Sequence, residues 1–377
     1  MQMRTKRPGF TLIELMVAMA LTLFIMTILS QAFVMSIETF SGMKGIGDMQ
    51  MNLRTASILL RDDLIEDHFE GKRRLSDVVV VPTGKTAGVF NERPLQGFFA
   101  IRQINPPINE GNDASGMPSY RATDHLLYMT VKRKGNRTEN FFSSALIGDA
   151  TTLTRFFGQS TAYNITAANL PAATWASAYP TAPPYPPQGF YNSQWAEVLY
   201  YLVQTGTTEE PNNPASVNGT PTFGLFRAQF GMVPEKTTLK TAINAPPLLA
   251  AGLNLTTFVQ MSCNAITANT YDFYTPTDAA SGNRVVSNIS ALTIPPPARI
   301  QLASTLVLPN VTSFHIQAKL LITAATAPNF TDVALYDTTK FGTAGYIDNG
   351  LKGIQITLRV WDPKTRQTRQ ITVVQDL

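Results

Sequence analysis

The side chains best suited to catalysis are few in this chain and far apart in its sequence. The three histidines are His68, His125 and His315, and Cys263 is the single cysteine. Acid–base or nucleophilic catalysis needs a second group within hydrogen-bonding reach, which motifs such as His-Glu-x-x-His or Gly-x-Ser-x-Gly provide. The sequence contains neither motif and no cysteine pair. We therefore predict a protein that is not an enzyme, with no catalytic residue, no resident metal and no cofactor.

Two other kinds of site are weaker possibilities. Calcium could bind in the polar segments that hold Asp272, Asp278, Asp332 and Asp337, although their spacing matches no recognised calcium loop. A lone cysteine excludes an intramolecular disulfide. Cys263 is therefore either a buried small apolar side chain, which we expect, or a link between two chains.

Glu14 is the one side chain whose surroundings are chemically unusual. It is the only Asp, Glu, Lys or Arg between Gly9 and Ile37, and the run around it is mostly apolar. An ionised side chain within hydrocarbon costs roughly 2.5–3.5 kcal/mol. Because the segment offers no opposite charge, we expect the partner of Glu14 to lie on another chain.

A long apolar helix must carry Glu14. Residues 10–33 would extend roughly 36 Å at 1.5 Å per residue, which is enough to cross the core of a bilayer. Arg4, Lys6 and Arg7 precede this run, and such basic residues stay on the cytoplasmic side. We predict a transmembrane segment over residues 10–33, with residues 1–9 in the cytoplasm and the remaining chain on the other side.

The helix is predicted to continue to residue 67 and to dock on a sheet there. Leu53, Ala56, Leu60 and Leu64 recur at intervals of three and four residues and form one apolar face. The carboxylates near the end of the helix are Asp62, Asp63, Glu66 and Asp67. We predict that they form a solvated acidic face rather than a cation site.

Three glycines separate the two parts of this helix, namely Gly42, Gly45 and Gly47. Each glycine weakens a helix by about 1 kcal/mol relative to alanine. The sequence therefore predicts a flexible or locally melted joint between the apolar half and the half that docks on the sheet.

The head of the protein, residues 75–377, has the pattern of short strands separated by turns. The predicted strands cover residues 78–81, 126–131, 195–203, 223–227, 313–320, 354–361 and 370–374. Residues 195–203 are apolar on both faces, so this strand should be central and covered twice. A long helix followed by antiparallel strands predicts an α+β fold, with the helix packed on the sheet. Segments near 156–190 and 237–297 are predicted insertions, either contact surfaces or packed loops.

The start of the helix resembles a known signal. The stretch Gly9-Phe10-Thr11-Leu12-Ile13-Glu14-Leu15 follows a basic leader and resembles the class III signal of type IV prepilins and type II secretion pseudopilins. The resemblance implies that a prepilin peptidase cuts between Gly9 and Phe10 and methylates the new N-terminus at Phe10. It also implies that Glu14 acts in filament assembly, by pairing with the N-terminus of a neighbouring subunit.

Removal of the leader also changes the charge of the chain. The formal net charge is +4, three of the basic residues lie in residues 1–9, and 4 − 3 leaves +1. We therefore expect no specific binding of nucleic acid, which requires a basic surface.

Three further motifs resemble those of a subgroup of this family. Residues 61–64 (Arg-Asp-Asp-Leu), 198–202 (Val-Leu-Tyr-Tyr-Leu) and 224–227 (Gly-Leu-Phe-Arg) resemble elements of PilW-like minor pilins and J-type pseudopilins. The head, about 300 residues long, is larger than that of a major pilin. The resemblance therefore implies a minor subunit at a filament tip, in a type IV pilus, a type II secretion system or a DNA-uptake system.

The resemblance also implies a location and partners. The chain would wait in the bacterial inner membrane with its leader in the cytoplasm and its head in the periplasm, and would then join a pilus or pseudopilus and help to initiate assembly. The expected partners are the prepilin peptidase, inner-membrane lipid and other pilin or pseudopilin subunits. The alternative is a membrane-anchored periplasmic binding or adhesive protein that uses a prepilin-type signal.

Overall fold

A single helix, α1, runs without a break from Leu12 to Ile65 in the computed structural model. The structure describes residues 11–69, 74–76, 97–112, 118–135, 137, 140–147, 188–234, 261–267, 270–272, 286, 289–297, 300–301, 303–321, 329–340 and 350–377. Thr11 is the N-cap of α1, and Glu66 takes an extended conformation after its last turn. The predicted helix over residues 10–67 is thus two residues longer at each end than the observed one.

The joint predicted at the three glycines is wrong, because α1 is continuous through all of them. One of the glycines allows a close approach of the head instead. A Cβ atom at Gly45 would lie 2.6 Å from Asp362 Oδ2, which is too close. A Cβ atom at Gly42 would lie 3.8 Å from Thr365 Cγ2, an ordinary contact, and one at Gly47 would meet nothing within 4 Å. The missing side chain at position 45 therefore serves packing.

The space beside Gly45 is filled and that beside Gly47 is open, so alanine should have opposite effects on stability at these two positions. Gly47→Ala should raise the free energy of unfolding by up to about 1 kcal/mol, because it improves helix propensity in open space. Gly45→Ala should lower it, because the new Cβ displaces an Asp362 carboxylate that the adjacent turn holds in place. Urea unfolding of the full-length chain in detergent micelles measures both values. A gain for Gly45→Ala as large as that for Gly47→Ala would contradict the packing role.

Fourteen strands follow α1 among the described residues. They are β1 (Phe99–Gln103), β2 (Ile108–Asn112), β3 (Pro118–Arg121), β4 (His125–Lys132), β5 (Phe142–Ile147), β6 (Gln188–Ser193), β7 (Trp195–Thr207), β8 (Pro221–Pro234), β9 (Met261–Thr267), β10 (Thr270–Asp272), β11 (Ser304–Leu320), β12 (Leu335–Asp337), β13 (Leu351–Asp362) and β14 (Gln367–Asp376). The strands confirm the predicted α+β fold. Six of the seven predicted strands fall within observed ones, and the seventh, residues 78–81, lies outside the described residues.

Ten of these strands form one sheet. Its main path runs in the order β12-β1-β4-β7-β8-β11-β13-β14, and every neighbouring pair on this path is antiparallel. β9 extends the sheet by pairing with β8 in parallel, and β10 pairs with β9. The remaining strands form two separate pairs, β2 with β3 and β5 with β6.

The sheet is covered on both faces, as the pattern of its central strand predicted. On one face, Val198 and Tyr200 of β7 join the core that contains Leu60 of α1. On the other face, Leu199 of β7 packs in a second core that contains Ile289. Since apolar surface gains free energy on leaving water, both cores hold β7 at the centre of the fold.

The second core includes part of a segment that was predicted as an insertion. Within residues 237–297 the structure describes β9, β10 and a short 3-10 helix, Ile289–Ala291. Ile289 and Leu292 are buried in the second core, and Arg102 Nη1 donates to the carbonyl oxygens of both at 2.6 Å. The described end of this segment is therefore packed core. The other predicted insertion lies outside the described residues, except for its last residues, which belong to β6.

Candidate functional site

Glu14 lies in the first turn of α1, where it caps the helix. Its Oε2 atom accepts a hydrogen bond from the Thr11 backbone N–H at 2.9 Å and another from the Thr11 hydroxyl at 3.0 Å. The Glu14 N–H donates in return to Thr11 Oγ1 at 3.3 Å. This reciprocal arrangement is a capping box. Glu14 therefore has a hydrogen-bonding partner within its own segment that the sequence analysis did not foresee, although this partner carries no charge.

The capping box leaves part of the carboxylate available. Both hydrogen bonds from Thr11 reach Oε2, and Oε1 accepts none from the described residues. Thr11 supplies donors but no positive charge, and no described residue forms an ion pair with Glu14. The side chain can therefore cap its own helix and still pair with a cation from another chain.

The first half of α1 stands clear of the head. Its apolar side chains from Leu12 to Phe40 are exposed, and buried residues of the helix begin only at Met49. Among the described residues, α1 is the one helix long and apolar enough to cross a membrane. A large apolar surface is unfavourable in water. Lipid or other helices must therefore cover this half of α1.

The second half of α1 packs on the sheet through the predicted face. Leu53, Ala56, Leu60 and Leu64 are all buried. Asp63 lies on the same buried side and is 1% exposed. A carboxylate in an apolar core needs an opposite charge and hydrogen bonds, or its burial costs several kcal/mol.

Arg227 of β8 and Tyr200 of β7 provide these partners for Asp63. Arg227 Nε donates to Asp63 Oδ2 at 2.7 Å, and Arg227 Nη2 donates to Oδ1 at 3.0 Å. The Tyr200 hydroxyl donates to Oδ2 at 2.5 Å. The Arg–carboxylate contact is bidentate, which is its strongest geometry. We call these three residues the helix–sheet lock.

Tyr200 and Arg227 each keep one protonation state around neutral pH. Burial raises the pKa of the Tyr200 hydroxyl well above its ordinary value, so Tyr200 remains a donor. Burial by itself would lower the pKa of Arg227, but the adjacent Asp63 carboxylate outweighs burial and the pKa is raised. The guanidinium therefore stays charged.

The solvated acidic face predicted for the helix end is wrong for Asp63. Asp62 is exposed as predicted, and Asp67 forms a surface ion pair with Lys134 at 2.8 Å. The spacing of Asp63 carried a signal for burial, because it lies three residues after Leu60 on the apolar side.

Each of the three stretches that resemble minor-pilin motifs contributes one member of the lock. Asp63 belongs to Arg-Asp-Asp-Leu, Tyr200 to Val-Leu-Tyr-Tyr-Leu and Arg227 to Gly-Leu-Phe-Arg. The motifs are far apart in the sequence and meet at one buried contact. Their shared task is therefore to fix the helix on the sheet.

Two histidines that are distant in the sequence meet in the fold. The rings of His125 and His315 make edge contact with centroids 5.4 Å apart, and His315 Nε2 lies 2.6 Å from Asp332 Oδ1. Burial lowers the pKa of His125 to about 3, and its Nδ1 accepts the Ile316 N–H at 3.1 Å. An imidazole that stays neutral and buried makes a poor proton carrier, so the contact supports the fold. The third histidine, His68, is also buried, and its Nδ1 lies 2.7 Å from the Thr130 carbonyl oxygen.

Two of the four aspartates considered for calcium are hydrogen-bonded to residues of the chain itself. Asp332 bonds to His315, and Asp337 Oδ1 accepts from the Thr339 N–H and hydroxyl at 2.9 and 2.6 Å. Asp272 ends β10, and Asp278 lies outside the described residues. In the part of the chain that the structure describes, no group of three or more His, Cys, Asp or Glu could hold a metal ion. Cys263 lies in β9.

Gly9 and Phe10 lie outside the described residues, but a comparison with protein families covers them. Residues 4–30 match the family described as the prokaryotic N-terminal methylation motif. The match includes the basic leader, the Gly9–Phe10 junction, Glu14 and most of the exposed apolar half of α1. No curated protein and no solved structure matches the chain.

The match and the fold together define a class of protein. The chain carries a prepilin-type signal, which is the substrate signal of prepilin peptidase. The helix behind this signal anchors the chain in the inner membrane, and a large antiparallel sheet follows it. This combination is a pilin-like architecture.

Proposed function

We propose that the protein is a minor pilin or minor pseudopilin. It is a structural subunit that enters a type IV pilus or a type II secretion pseudopilus, at its tip, and helps to start assembly. The observation that carries this proposal is the position of Glu14. Its carboxylate stands at the exposed start of an unpacked apolar helix, inside the segment that matches the methylation motif.

The chemistry of Glu14 suits a filament core. When many such helices pack together, the free Oε1 atom of Glu14 meets the positive N-terminus that cleavage creates at Phe10 of a neighbour. Two lone charges in an apolar core are costly, whereas a close pair relieves much of that cost. Only one axial stagger brings the two groups together, so the pair also sets the register of the subunits.

The size of the head supports a minor position in the filament. Among the described residues, its main sheet alone has ten strands. A subunit repeated along the whole filament must fit beside its neighbours, whereas a tip subunit has no neighbour above it. The head lies in the periplasm before assembly, with the leader in the cytoplasm, because the basic residues precede the anchor.

Processing of the N-terminus tests this proposal directly. We expect the mature protein to begin at N-methylated Phe10 and to lack residues 1–9. Intact-mass and N-terminal peptide mass spectrometry would show both changes. In cells without prepilin peptidase, the same protein should keep its leader and stay out of the filament fraction. An unmethylated or uncut protein in filaments of normal cells would refute the proposed role.

A further inference from the structure

The last strand of the sheet runs beside α1 in the same direction. At its start, the turn between β13 and β14 (residues 363–366, the β13–β14 turn) reaches Gly42, and Asp362 just before it reaches Gly45. At its end, Gln375 and Leu64 line one cavity of about 280 Å³. The β13–β14 turn is therefore at the end of the head that points toward the apolar half of α1.

The length of the apolar half places this turn relative to a bilayer. The stretch free of charge continues four residues beyond the predicted transmembrane segment of residues 10–33, and we take its end, Ile37, as the edge of the hydrocarbon core. From Leu15 to Ile37 it measures roughly 33 Å at 1.5 Å per residue, close to the core thickness of about 30 Å. Gly42 lies five residues further on, roughly 7.5 Å along the axis. Lipid headgroups occupy about 5–8 Å on each side of the core. The β13–β14 turn therefore lies at the level of the headgroups.

The exposed side chains at this level carry three positive and two negative charges. Lys364 and Arg366 of the turn and Lys44 of α1 are the exposed basic residues, and Glu38 and Asp48 of α1 are the exposed carboxylates. Asp362 is nearly buried. Its two oxygens accept hydrogen bonds from the turn itself, from the Lys364 N–H at 3.2 Å and the Thr365 hydroxyl at 2.7 Å.

The turn holds its two basic residues in a defined place. The Arg366 N–H donates to the Asp362 carbonyl oxygen at 2.8 Å, and Arg366 adopts a left-handed conformation with φ 53°. Among the described residues, neither Lys364 nor Arg366 forms an ion pair. Their side chains are therefore available to an anion outside the chain.

We propose that the β13–β14 turn binds the phosphate groups of anionic phospholipids while the protein waits in the membrane. Lys364 and Arg366 make the contact, and Lys44 adds to it from α1. A basic side chain near an anionic membrane surface strengthens binding by about fivefold. The contact fixes the head against the bilayer, and a subunit must release it on leaving the membrane. This inference rests on the membrane-anchored state in the proposed function.

The test compares lipids with the full-length chain in nanodiscs. One set of nanodiscs contains phosphatidylcholine alone, and the other contains phosphatidylglycerol as well. We expect hydrogen–deuterium exchange at residues 363–369 to slow by about fivefold or more with phosphatidylglycerol at low salt, and to recover at high salt. Lys364→Glu with Arg366→Glu should abolish the lipid-dependent protection.

A matched control variant makes the same change in charge as the Lys364→Glu, Arg366→Glu variant, but at the other end of the head. Arg61 and Lys352 are exposed, and Lys352 lies ten residues before Asp362 on β13, roughly 33 Å away along the strand. Arg61→Glu with Lys352→Glu should keep the protection.

If exchange is equal in both lipids while the chain is fully inserted, the proposed lipid contact is refuted, but the membrane-anchored state is not. If protection appears only when another pilin-type subunit is added, the lipid contact is also refuted. The β13–β14 turn would then bind a carboxylate of that subunit instead of a lipid phosphate. Failure of the chain to insert would overturn the anchored state as well.

Discussion

Glu14→Gln should leave the protein in the membrane and reduce its amount in sheared filaments by about tenfold or more. The amide keeps the size of the side chain and an oxygen that can accept both hydrogen bonds from Thr11, so the capping box persists. Only the negative charge is lost. The N-terminus of the neighbouring subunit then has no counter-charge in an apolar core, which costs several kcal/mol.

Immunoblots of the membrane and sheared-filament fractions measure this effect. The control is Thr11→Ala, which removes the capping hydroxyl but keeps the carboxylate. It should cost about 1 kcal/mol of local helix stability and should leave incorporation near normal. Mass spectrometry must show that both variants begin at Phe10. Normal incorporation of a correctly processed Glu14→Gln protein would refute the charge pairing.

Asp63→Ala should lower the free energy of unfolding of the head by about 3–5 kcal/mol, because it leaves the Arg227 guanidinium buried without a counter-charge. Urea unfolding of the full-length chain in detergent micelles, followed by near-UV circular dichroism, measures the change. The neighbouring Asp62 provides a control of the same type, since its side chain is exposed. Asp62→Ala should change stability by less than about 0.5 kcal/mol.

Two further variants separate the ion pair from the packing of the lock. Tyr200→Phe removes one hydrogen bond to a charged group and should cost about 1.5–3 kcal/mol. Asp63→Leu combined with Arg227→Met replaces both charges by apolar side chains and should recover most of the loss. Equal destabilisation by Asp62→Ala and Asp63→Ala would show that the buried contact contributes nothing.

The features predicted correctly from the sequence are those that a local pattern encodes. The face formed by Leu53, Ala56 and Leu60 follows from helical spacing, and the central position of β7 follows from its two apolar faces. Both properties depend on neighbours a few residues away. The antiparallel pairing of β13 with β14 follows from the short turn between them.

The features that the sequence did not reveal depend on distant or competing contacts. Asp63 is 164 positions from Arg227, so its burial becomes visible only once the strands are in register. The glycines weaken a helix by propensity, but at Gly45 the close contact with Asp362 decides the role of the glycine. The capping box at Thr11 was within reach of sequence reasoning, since its threonine and glutamate are three residues apart.

The unbroken course of α1 has a mechanical consequence. From Glu14 to Asp63 the helix is a rod of 49 residue steps, roughly 74 Å long, with no hinge at its glycines. In the proposed filament, a push or pull applied to the start of this helix would therefore move the head directly, because the rod has no joint to absorb the displacement. Any force on α1 must reach the sheet through the contacts between the two. Among these, the bidentate Asp63–Arg227 pair would be the hardest to slide.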